Sequence, residues 1–279
     1  MTIALLVSLL AVGAFGAGLL GALTGLGGGL VVVPMLTLLF HVDLRYAIGA
    51  SLVSVIATSS GAAAAYVREG FTNVRIGIFL EVATTVGALA GAFAAPYIPT
   101  SALAILFALV LLYSAYRSFG RHEDHPLDVP SDPLAVRLRL PSTYPVRGGA
   151  QRHYPVQRVK AGFAMMFGAG VLSALLGIGS GVVKVLAMDH TMKLPFKVST
   201  TTSNFMIGVT AAASAGVYLH RGYIEPVLAF PVMLGVLAGA LLGARVLSSA
   251  NTVWLRQLFT TVVVILAIEM LYKGIKGVV

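Results

Sequence analysis

The stretch that decides the fold is Phe15-Gly-Ala-Gly-Leu-Leu-Gly-Ala-Leu-Thr-Gly-Leu-Gly-Gly-Gly-Leu-Val-Val-Val33. Moved along the chain by 152 positions, it meets Phe167-Gly-Ala-Gly-Val-Leu-Ser-Ala-Leu-Leu-Gly-Ile-Gly-Ser-Gly-Val-Val-Lys-Val185, and twelve of the nineteen pairs are identical. The same offset, without a gap, goes on to pair Ser51 with Ser203, Thr58 with Thr210, Tyr66 with Tyr218, Gly87 with Gly239 and Gly91 with Gly243. A fixed register of this length predicts two homologous halves.

The composition is that of a membrane protein. Hydrophobic residues make up 58% of the 279 residues and charged residues only 10%, whereas soluble domains have roughly 25% charged residues. No ionisable residue occurs from Ile3 to Phe40. As one helix this stretch would be about 57 Å long, nearly twice the hydrocarbon core of a bilayer. It must therefore contain a break, which we expect at Gly25–Gly29.

These patterns predict an all-α polytopic membrane protein made of two homologous repeats. Each repeat is expected to have a Gly-broken first segment followed by three transmembrane helices, with about 8–10 membrane segments in all. An even number of crossings per half makes the halves parallel. An odd number, from a first segment that crosses twice or turns back as a hairpin, makes them inverted. The sequence leaves both arrangements open, although Lys273 and Lys276 favour a cytoplasmic carboxyl terminus and with it parallel halves.

A basic, proline-rich linker divides the chain. We expect the first membrane repeat at residues 1–118, a hydrophilic linker at 119–158 and the second repeat at 159–279. The linker has six prolines among its charged residues and is interpreted as a cytoplasmic loop. Because such a loop explains the net charge of +9, no nucleic-acid partner is expected.

The two glycine breaks are candidate anion sites. Gly25–Gly29 and Gly177–Gly181 interrupt otherwise apolar segments, and a broken membrane helix presents free backbone N–H groups and a positive dipole end near the bilayer midplane. Irregular backbone is tolerated at that depth only where it is buried or lines a cavity. The candidate substrate-binding residues of the breaks are Gly27, Gly28, Gly29, Gly179, Ser180 and Gly181. Close helix packing is the alternative interpretation of these glycines, and it is the favoured one for Gly87, Gly91, Gly239 and Gly243.

Hydroxyl and amide side chains follow each break by some twenty residues. Such groups donate hydrogen bonds to an anion without needing a buried counter-charge, so Ser51, Thr201, Ser203 and Asn204 are further candidates. Hydrogen bonding within or between helices is their alternative role.

Two ionisable residues fall inside apolar segments, where charges are rare and usually functional. Lys184 comes three residues after Gly181, where it could attract an anion or snorkel to the interface. Glu81 could pair with Lys184 or carry a coupling proton. At the offset of 152 positions their counterparts are Val32 and Met233, so neither charge is repeated.

Several classes of chemistry lack support in the sequence. There are no cysteines, the six histidines are scattered without metal-ligand spacing, and no phosphate-binding GxxxxGK[ST] motif occurs. We therefore expect no catalytic residues, no metal site, no cofactor and no enzyme activity. The expected partners are a small anionic substrate and membrane lipid, and a homodimer is left open.

The segment Gly21-Ala-Leu-Thr-Gly-Leu-Gly-Gly-Gly-Leu-Val-Val-Val-Pro-Met35 resembles the N-terminal signature of the TauE/SafE (sulfite exporter) family of prokaryotic membrane permeases. Gly177–Gly181 and the tract Ser199–Asn204 are similar to that family's corresponding positions. The resemblance implies a multi-pass protein of the cytoplasmic (inner) membrane that transports sulfite or an organosulfonate such as sulfoacetate. The long Arg/Pro-rich linker and Lys184 depart from the family pattern.

The resulting prediction is a secondary-active or proton-linked permease or exporter for a small sulfur-containing anion. A cation/proton exchanger that uses Glu81 and Glu269 is the alternative transporter. A membrane-embedded enzyme or scaffold is the third reading, for which the sequence offers no catalytic group.

Overall fold

The computed structural model of the protein describes residues 3–24, 28–68, 70–119, 129–145, 151–247 and 252–277. Apart from one two-stranded sheet, every regular element in these residues is helical. The protein is thus an all-α membrane protein, as predicted, except for a single hairpin in the linker.

The first half contains five α-helices, of which the first two flank the predicted break. Helix α1 spans Ile3–Thr24 and α2 spans Gly29–Leu39, and residues 25–27 of the predicted break lie outside the described residues. There follow α3 (Leu44–Arg68), α4 (Val74–Ala94), a 3-10 turn (Ala95–Tyr97) and α5 (Thr100–Phe119).

The second half has the same order of helices. Helix α7 spans Val159–Leu176 and α8 spans Gly181–Leu186, with the second predicted break between them. A π-helical turn (Ala187–Thr191) leads to α9 (Phe196–His220), α10 (Pro226–Leu247) and α11 (Thr252–Lys276).

Both short helices turn back along the helices that precede them. Gly28 lies next to Gly18 of α1, while Met35, further along α2, contacts Gly13, nearer the start of α1. In the second half, Met192 after the π-helical turn contacts Gly162 near the start of α7. Each Gly-broken segment is therefore a hairpin, one of the alternatives that the sequence left open.

The two halves are packed together through glycine faces. Helix α4 packs against α7, and α10 packs against α1. Gly87 of α4 lies against the carbonyl group of Phe167, and Gly239 of α10 lies against that of Phe15, so closely that a Cβ atom would overlap either carbonyl. The small-residue packing predicted for Gly87, Gly91 and Gly239 is thereby confirmed.

Two pairs of helices that correspond under the 152-residue offset, α5 with α11 and α3 with α9, run in opposite directions. Near the end of α11, Gly274 lies against Ser101 at the start of α5. In the pair α3 and α9, Gly49 near the start of α3 lies against Tyr223, just after α9. At the other end, Lys197 of α9 lies over the ring of Phe71, just after α3.

The described part of the linker is folded, whereas the sequence predicted a loop. It forms helix α6 (Pro133–Arg137) and an antiparallel hairpin of β1 (Ser142–Pro145) and β2 (Gln151–Tyr154). The physical reason is a set of apolar side chains spread among its charges, which are buried against α4, α7 and α9: Ala135, Leu140, Tyr154 and Val156. Asn73 anchors this layer, since its side chain donates to the carbonyl of Leu140 (2.9 Å) and to the hydroxyl of Tyr154 (2.7 Å).

Three helical segments in the described residues are long and apolar enough to cross a membrane by length and composition: Val74–Tyr97, Val159–Leu176 and Pro226–Gly243. The shorter apolar helices are Leu5–Gly21, Gly29–Leu39 and Thr100–Tyr116. The total of about 8–10 membrane segments stays a prediction.

Candidate functional site

The two glycine breaks contact each other at a buried position between α3 and α9. A Cβ atom on Gly29, at the start of α2, would lie 3.1 Å from the carbonyl oxygen of Gly177 and 3.0 Å from the hydroxyl of Ser51. Ser51 is fully buried and donates its hydrogen to the Gly177 carbonyl at 2.7 Å. A residue of α3 in the first half thus holds the break of the second half.

Equivalent contacts occur on both sides of this junction. Gly29 lies against Val55 of α3, and Gly181 lies against Ile207 of α9, with 2.8 and 2.9 Å from the position of a Cβ atom to the nearest methyl carbon. All four residues correspond in pairs under the 152-residue offset. Any larger residue at either glycine would displace these side chains, so the sequence keeps both helix starts free of side chains.

The second break has a backbone that glycine favours. Gly177 and Gly179 both have φ of 68°, and Ser180 has φ of 49° although it is not glycine. Left-handed backbone is unfavourable for a residue with a side chain, typically by about 1–3 kcal/mol. The Ser180 hydroxyl is buried and makes no hydrogen bond within the described residues. Strain and an unsatisfied hydroxyl occur together here, as they often do at binding sites.

The other candidate hydroxyls already have partners. Ser203 donates to the carbonyl of Gly181 at 3.3 Å, and Thr201 donates to the carbonyl of Lys197 within its own helix at 3.0 Å. Asn204 is 9% exposed on the same helix. Gly28 lies beside Gly18 and Val236, whereas Gly27 is outside the described residues.

One turn beyond Gly181, a buried cluster of an ion pair and a threonine joins three helices. Lys184 of α8 is 0% exposed, and its Nζ atom donates to the hydroxyl of Thr210 on α9 at 2.5 Å. That hydroxyl donates to Oε1 of Glu81 on α4 at 2.7 Å. The second oxygen of Glu81, Oε2, lies 3.9 Å from Nζ and accepts no hydrogen bond within the described residues. The pairing of Lys184 with Glu81 was one of the roles that the sequence suggested, and snorkelling of Lys184 to the interface is excluded by its burial.

The sequence did not single out two residues of this cluster. Thr210 connects the ammonium to the carboxylate, and Thr85 donates to Oε1 of Glu81 at 3.2 Å. Thr210 lies seven residues, or two helical turns, after Ser203, and Thr85 lies one turn after Glu81. Helical spacing from the candidate residues is the signal that would have found both.

The arrangement suits the binding of a small anion. It brings together two helix starts without side chains, several short polar groups and one buried ammonium, in surroundings that are otherwise apolar. Electrostatic interactions are much stronger in such surroundings than in water.

Comparison with known proteins identifies the family. The chain matches the model of the family described as sulfite exporter TauE/SafE over residues 9–270. It is 26% identical over 266 residues to the probable membrane transporter protein YunE of Bacillus subtilis (strain 168), which covers 93% of this chain and 95% of YunE.

Two further relatives carry similar names. The probable membrane transporter protein YdhB of Bacillus subtilis (strain 168) is 30% identical over 229 residues, or 82% of this chain and 85% of YdhB. The probable membrane transporter protein MJ0441 of Methanocaldococcus jannaschii is 24% identical over 281 residues, or 96% of each chain. No solved structure matches the chain. With its two hairpin breaks and apolar helices, the chain belongs to the TauE/SafE sulfite exporter family and is a membrane transporter.

Proposed function

We propose that the protein is a secondary transporter for a small sulfur-containing anion, sulfite or an organosulfonate such as sulfoacetate, in the cytoplasmic membrane of a prokaryote. The observation that carries this proposal is that Lys184, which follows Gly181 of the second break by one helical turn, is fully buried. An anion is the ligand that an ammonium, helix starts and hydroxyls have in common. The family match supports sulfur-containing anions as the substrate class.

The proposed site lies between Gly28 and Gly29 on one side and Gly179, Ser180 and Gly181 on the other. Backbone N–H groups at the starts of α2 and α8 would bind the anion, and the free hydroxyl of Ser180 would add a hydrogen bond. Ser51 of α3 and Ser203 of α9 hold the second break in place through the carbonyls of Gly177 and Gly181. Asn204 would complete the polar lining.

The proposal includes inverted repeats. The opposite directions of α5 and α11, and of α3 and α9, support a pseudo-two-fold axis in the membrane plane, which is common in secondary transporters. Alternating access would then be a rocking of the two halves about the junction of the breaks.

The positions of the basic residues support a proposal about which end of the molecule faces the cytoplasm. The linker layer lies at the end of the molecule that also holds Arg75 and Lys197, and basic residues collect on the cytoplasmic side. Lys273 and Lys276, near the end of α11, lie at the opposite end together with Arg45, whose guanidinium donates to the carbonyl of Pro96. The carboxyl end of α11 is therefore proposed to face away from the cytoplasm, in contrast to the preference drawn from these two lysines alone.

The alternative of a cation/proton exchanger has less support. It requires Glu81 and Glu269 to act together, but Glu81 is 8% exposed while Glu269 is exposed on the surface of α11. A carboxylate that faces outward from the helix bundle is poorly placed to share a cation with one that is paired with Lys184.

The test is the thermal stability of the purified full-length protein in the presence of sulfite, sulfate, sulfoacetate, taurine, acetate and chloride. A ligand that binds the folded state alone raises the melting temperature by mass action. We expect stabilisation by sulfite or sulfonates and not by acetate or chloride. The double variant Ser203→Ala, Asn204→Ala should lose this ligand-dependent shift, whereas Thr200→Ala, whose hydroxyl bonds within its own helix, should keep it. Equal shifts with all six compounds, or none, would contradict the proposal.

A further inference from the structure

Lys184 follows Gly181, at the edge of the proposed anion site, by one helical turn, and its ion pair with Glu81 is electrically neutral before any anion arrives. Lys184 is fully buried, and its Nζ atom is held by Thr210 and Glu81 alone among the described side chains. If an anion binds next to this ammonium while Glu81 is ionised, the cluster acquires a net negative charge. A net charge in a medium of low dielectric constant is costly.

The hydrogen bonding of Glu81 leaves room for a proton on its carboxylate when an anion is bound. Its Oε1 atom accepts hydrogen bonds from Thr210 and Thr85, but its Oε2 atom accepts none within the described residues. At 3.9 Å, the distance from Oε2 to Nζ of Lys184 is too long for a hydrogen bond. A proton on Oε2 would therefore break no hydrogen bond that is present now.

Thr210 has a second acceptor for its hydrogen. Its hydroxyl lies 2.7 Å from Oε1 of Glu81 and 3.1 Å from the carbonyl oxygen of Met206. When Glu81 is protonated, the hydrogen of Thr210 can turn to Met206. The Thr210 oxygen keeps its lone pairs for the ammonium, so the cluster has two complete hydrogen-bonding arrangements.

We propose that Lys184 exchanges Glu81 for the substrate anion and that Glu81 takes up a proton as it does so, so that one proton crosses the membrane with each bound anion. This inference rests on the proposed function and specifies its coupling. In the empty protein, the ammonium neutralises the carboxylate. In the loaded protein, it neutralises the anion, and the carboxyl group is neutral.

No other charged group in the described residues is positioned to take this role. Helices α7 and α9, which pack against α4, carry ionisable side chains only towards their ends, at Lys160, Lys197, Tyr218 and His220. Helix α4 itself has Arg75, which is exposed, in its first turn. Asp189, on the π-helical turn after α8, lies beside His190, with 3.8 Å between Oδ2 and Nε2.

The cluster is confined to one half of the protein. At the offset of 152 positions, Lys184 corresponds to Val32 and Glu81 to Met233, whereas Thr210 corresponds to Thr58. The hydroxyl of Thr58 donates to the carbonyl of Ser54 in its own helix. Thr58 therefore provides a matched control for Thr210, with the same residue type in the corresponding helix and no hydrogen bond to a charged side chain among the described residues.

The experiment uses the full chain reconstituted in liposomes, with the membrane potential clamped at zero and methanesulfonate and sulfoacetate as probes. The sulfonate group carries no proton of its own at neutral pH. With the outside one pH unit more acidic, we expect wild-type protein to accumulate methanesulfonate about tenfold, the ratio that one pH unit supplies for one coupled proton. The Glu81→Gln variant keeps the hydrogen-bonding shape of the side chain and should let the probe equilibrate without accumulation.

A second pair of variants tests the cluster itself. In Thr210→Val the carboxylate loses a hydrogen bond that favours its charged form, so the pH of half-maximal uptake should shift upward. Thr58→Val should retain the wild-type profile. An unchanged profile for Thr210→Val would count against the proposed switch.

The outcomes separate this inference from the function on which it rests. Uptake of a sulfonate by wild-type protein without accumulation in the pH gradient would overturn proton coupling and leave sulfonate transport intact. Retained tenfold accumulation by Glu81→Gln would remove Glu81 as the proton-binding group. No entry of methanesulfonate, sulfoacetate or sulfite through folded wild-type protein would overturn the proposed function and the inference together.

Discussion

Ser51 of α3 donates its hydroxyl hydrogen to the carbonyl oxygen of Gly177, 2.7 Å away, and thereby ties the first half of the protein to the glycine break of the second. The bond is buried and spans 126 positions of sequence. Short-range sequence patterns do not reveal a contact between residues so far apart in the chain.

Replacement of Ser51 by alanine should destabilise the protein by about 1–3 kcal/mol, because a buried hydrogen bond at the break is lost. Ser54→Ala is the matched control, since the Ser54 hydroxyl donates to Ala50 within its own helix. Thermal unfolding in detergent measures both. Equal stability of the two variants would show that the bond to Gly177 has no special importance.

At the glycines that pack α1 against α10 and α4 against α7, an added methyl group should destabilise the protein. Gly18 and Gly170 lie directly against the carbonyls of Val236 and Thr84, whereas no atom lies within 4 Å of a Cβ atom built on Gly16 or Gly168. We expect Gly18→Ala and Gly170→Ala to cost about 1–3 kcal/mol through overpacking, and Gly16→Ala and Gly168→Ala to be neutral or slightly stabilising. Melting temperatures of the four variants check this, and a loss of stability in the second pair would contradict it.

The buried charges should depend on each other for stability. Lys184→Val alone leaves Glu81 without its counter-charge, which typically costs about 3–5 kcal/mol, and Glu81→Met alone does the same to Lys184. The double variant, with the residue types found at Val32 and Met233, should recover most of this loss. A double-mutant cycle on melting temperature measures the coupling, and additive losses would argue against a direct pair.

The linker layer should respond to alkaline pH through Tyr154. Burial raises the pKa of Tyr154 from 10.0 to about 12. The folded state therefore holds this proton more tightly than the unfolded state, and the corresponding stability is complete below pH 10 and lost between about pH 10 and 12. Tyr154→Phe should flatten that decline, which pH-dependent unfolding would record. A decline of unchanged steepness would mean that other groups cause it.

Asn73 should be the residue on which docking of the linker depends. It caps α4 by accepting from the backbone N–H of Ile76 at 3.0 Å and donates to both Leu140 and Tyr154. Asn73→Ala should therefore expose the linker to limited proteolysis at lower temperature than in the wild type, with a loss of about 1–3 kcal/mol. Proteolysis of both proteins along a temperature series tests this, and identical cleavage would refute it.

The parts of the fold that were predictable from the sequence depend on local chemistry. The breaks at Gly25–Gly29 and Gly177–Gly181 were predictable because the apolar run before Phe40 is too long for one crossing and glycine is the residue that interrupts it. The close approaches at Gly87 and Gly239 followed from the spacing of small residues.

The parts that were not predictable depend on distant contacts. Thr210 is 129 positions from Glu81; its spacing places it on the same helix face as Ser203, but the sequence does not show that this face meets Glu81. The sequence predicted a loop for the linker because charged residues and prolines dominate its composition. The few apolar residues that pack it against the helices are easily missed among them. In both cases the decisive fact is which helix face a side chain meets, and tertiary packing alone determines that.

The packing of α4 against α7, and of α10 against α1, also constrains how the protein is made. A chain inserted into the membrane in order of synthesis completes α1 and α4 long before their partners α10 and α7 exist. Their glycine faces must therefore stay covered by lipid or by the insertion machinery while the ribosome finishes the second half. A nascent chain stopped in the linker would hold five helices with neither of these faces matched, so biogenesis of the first half is inseparable from that of the second.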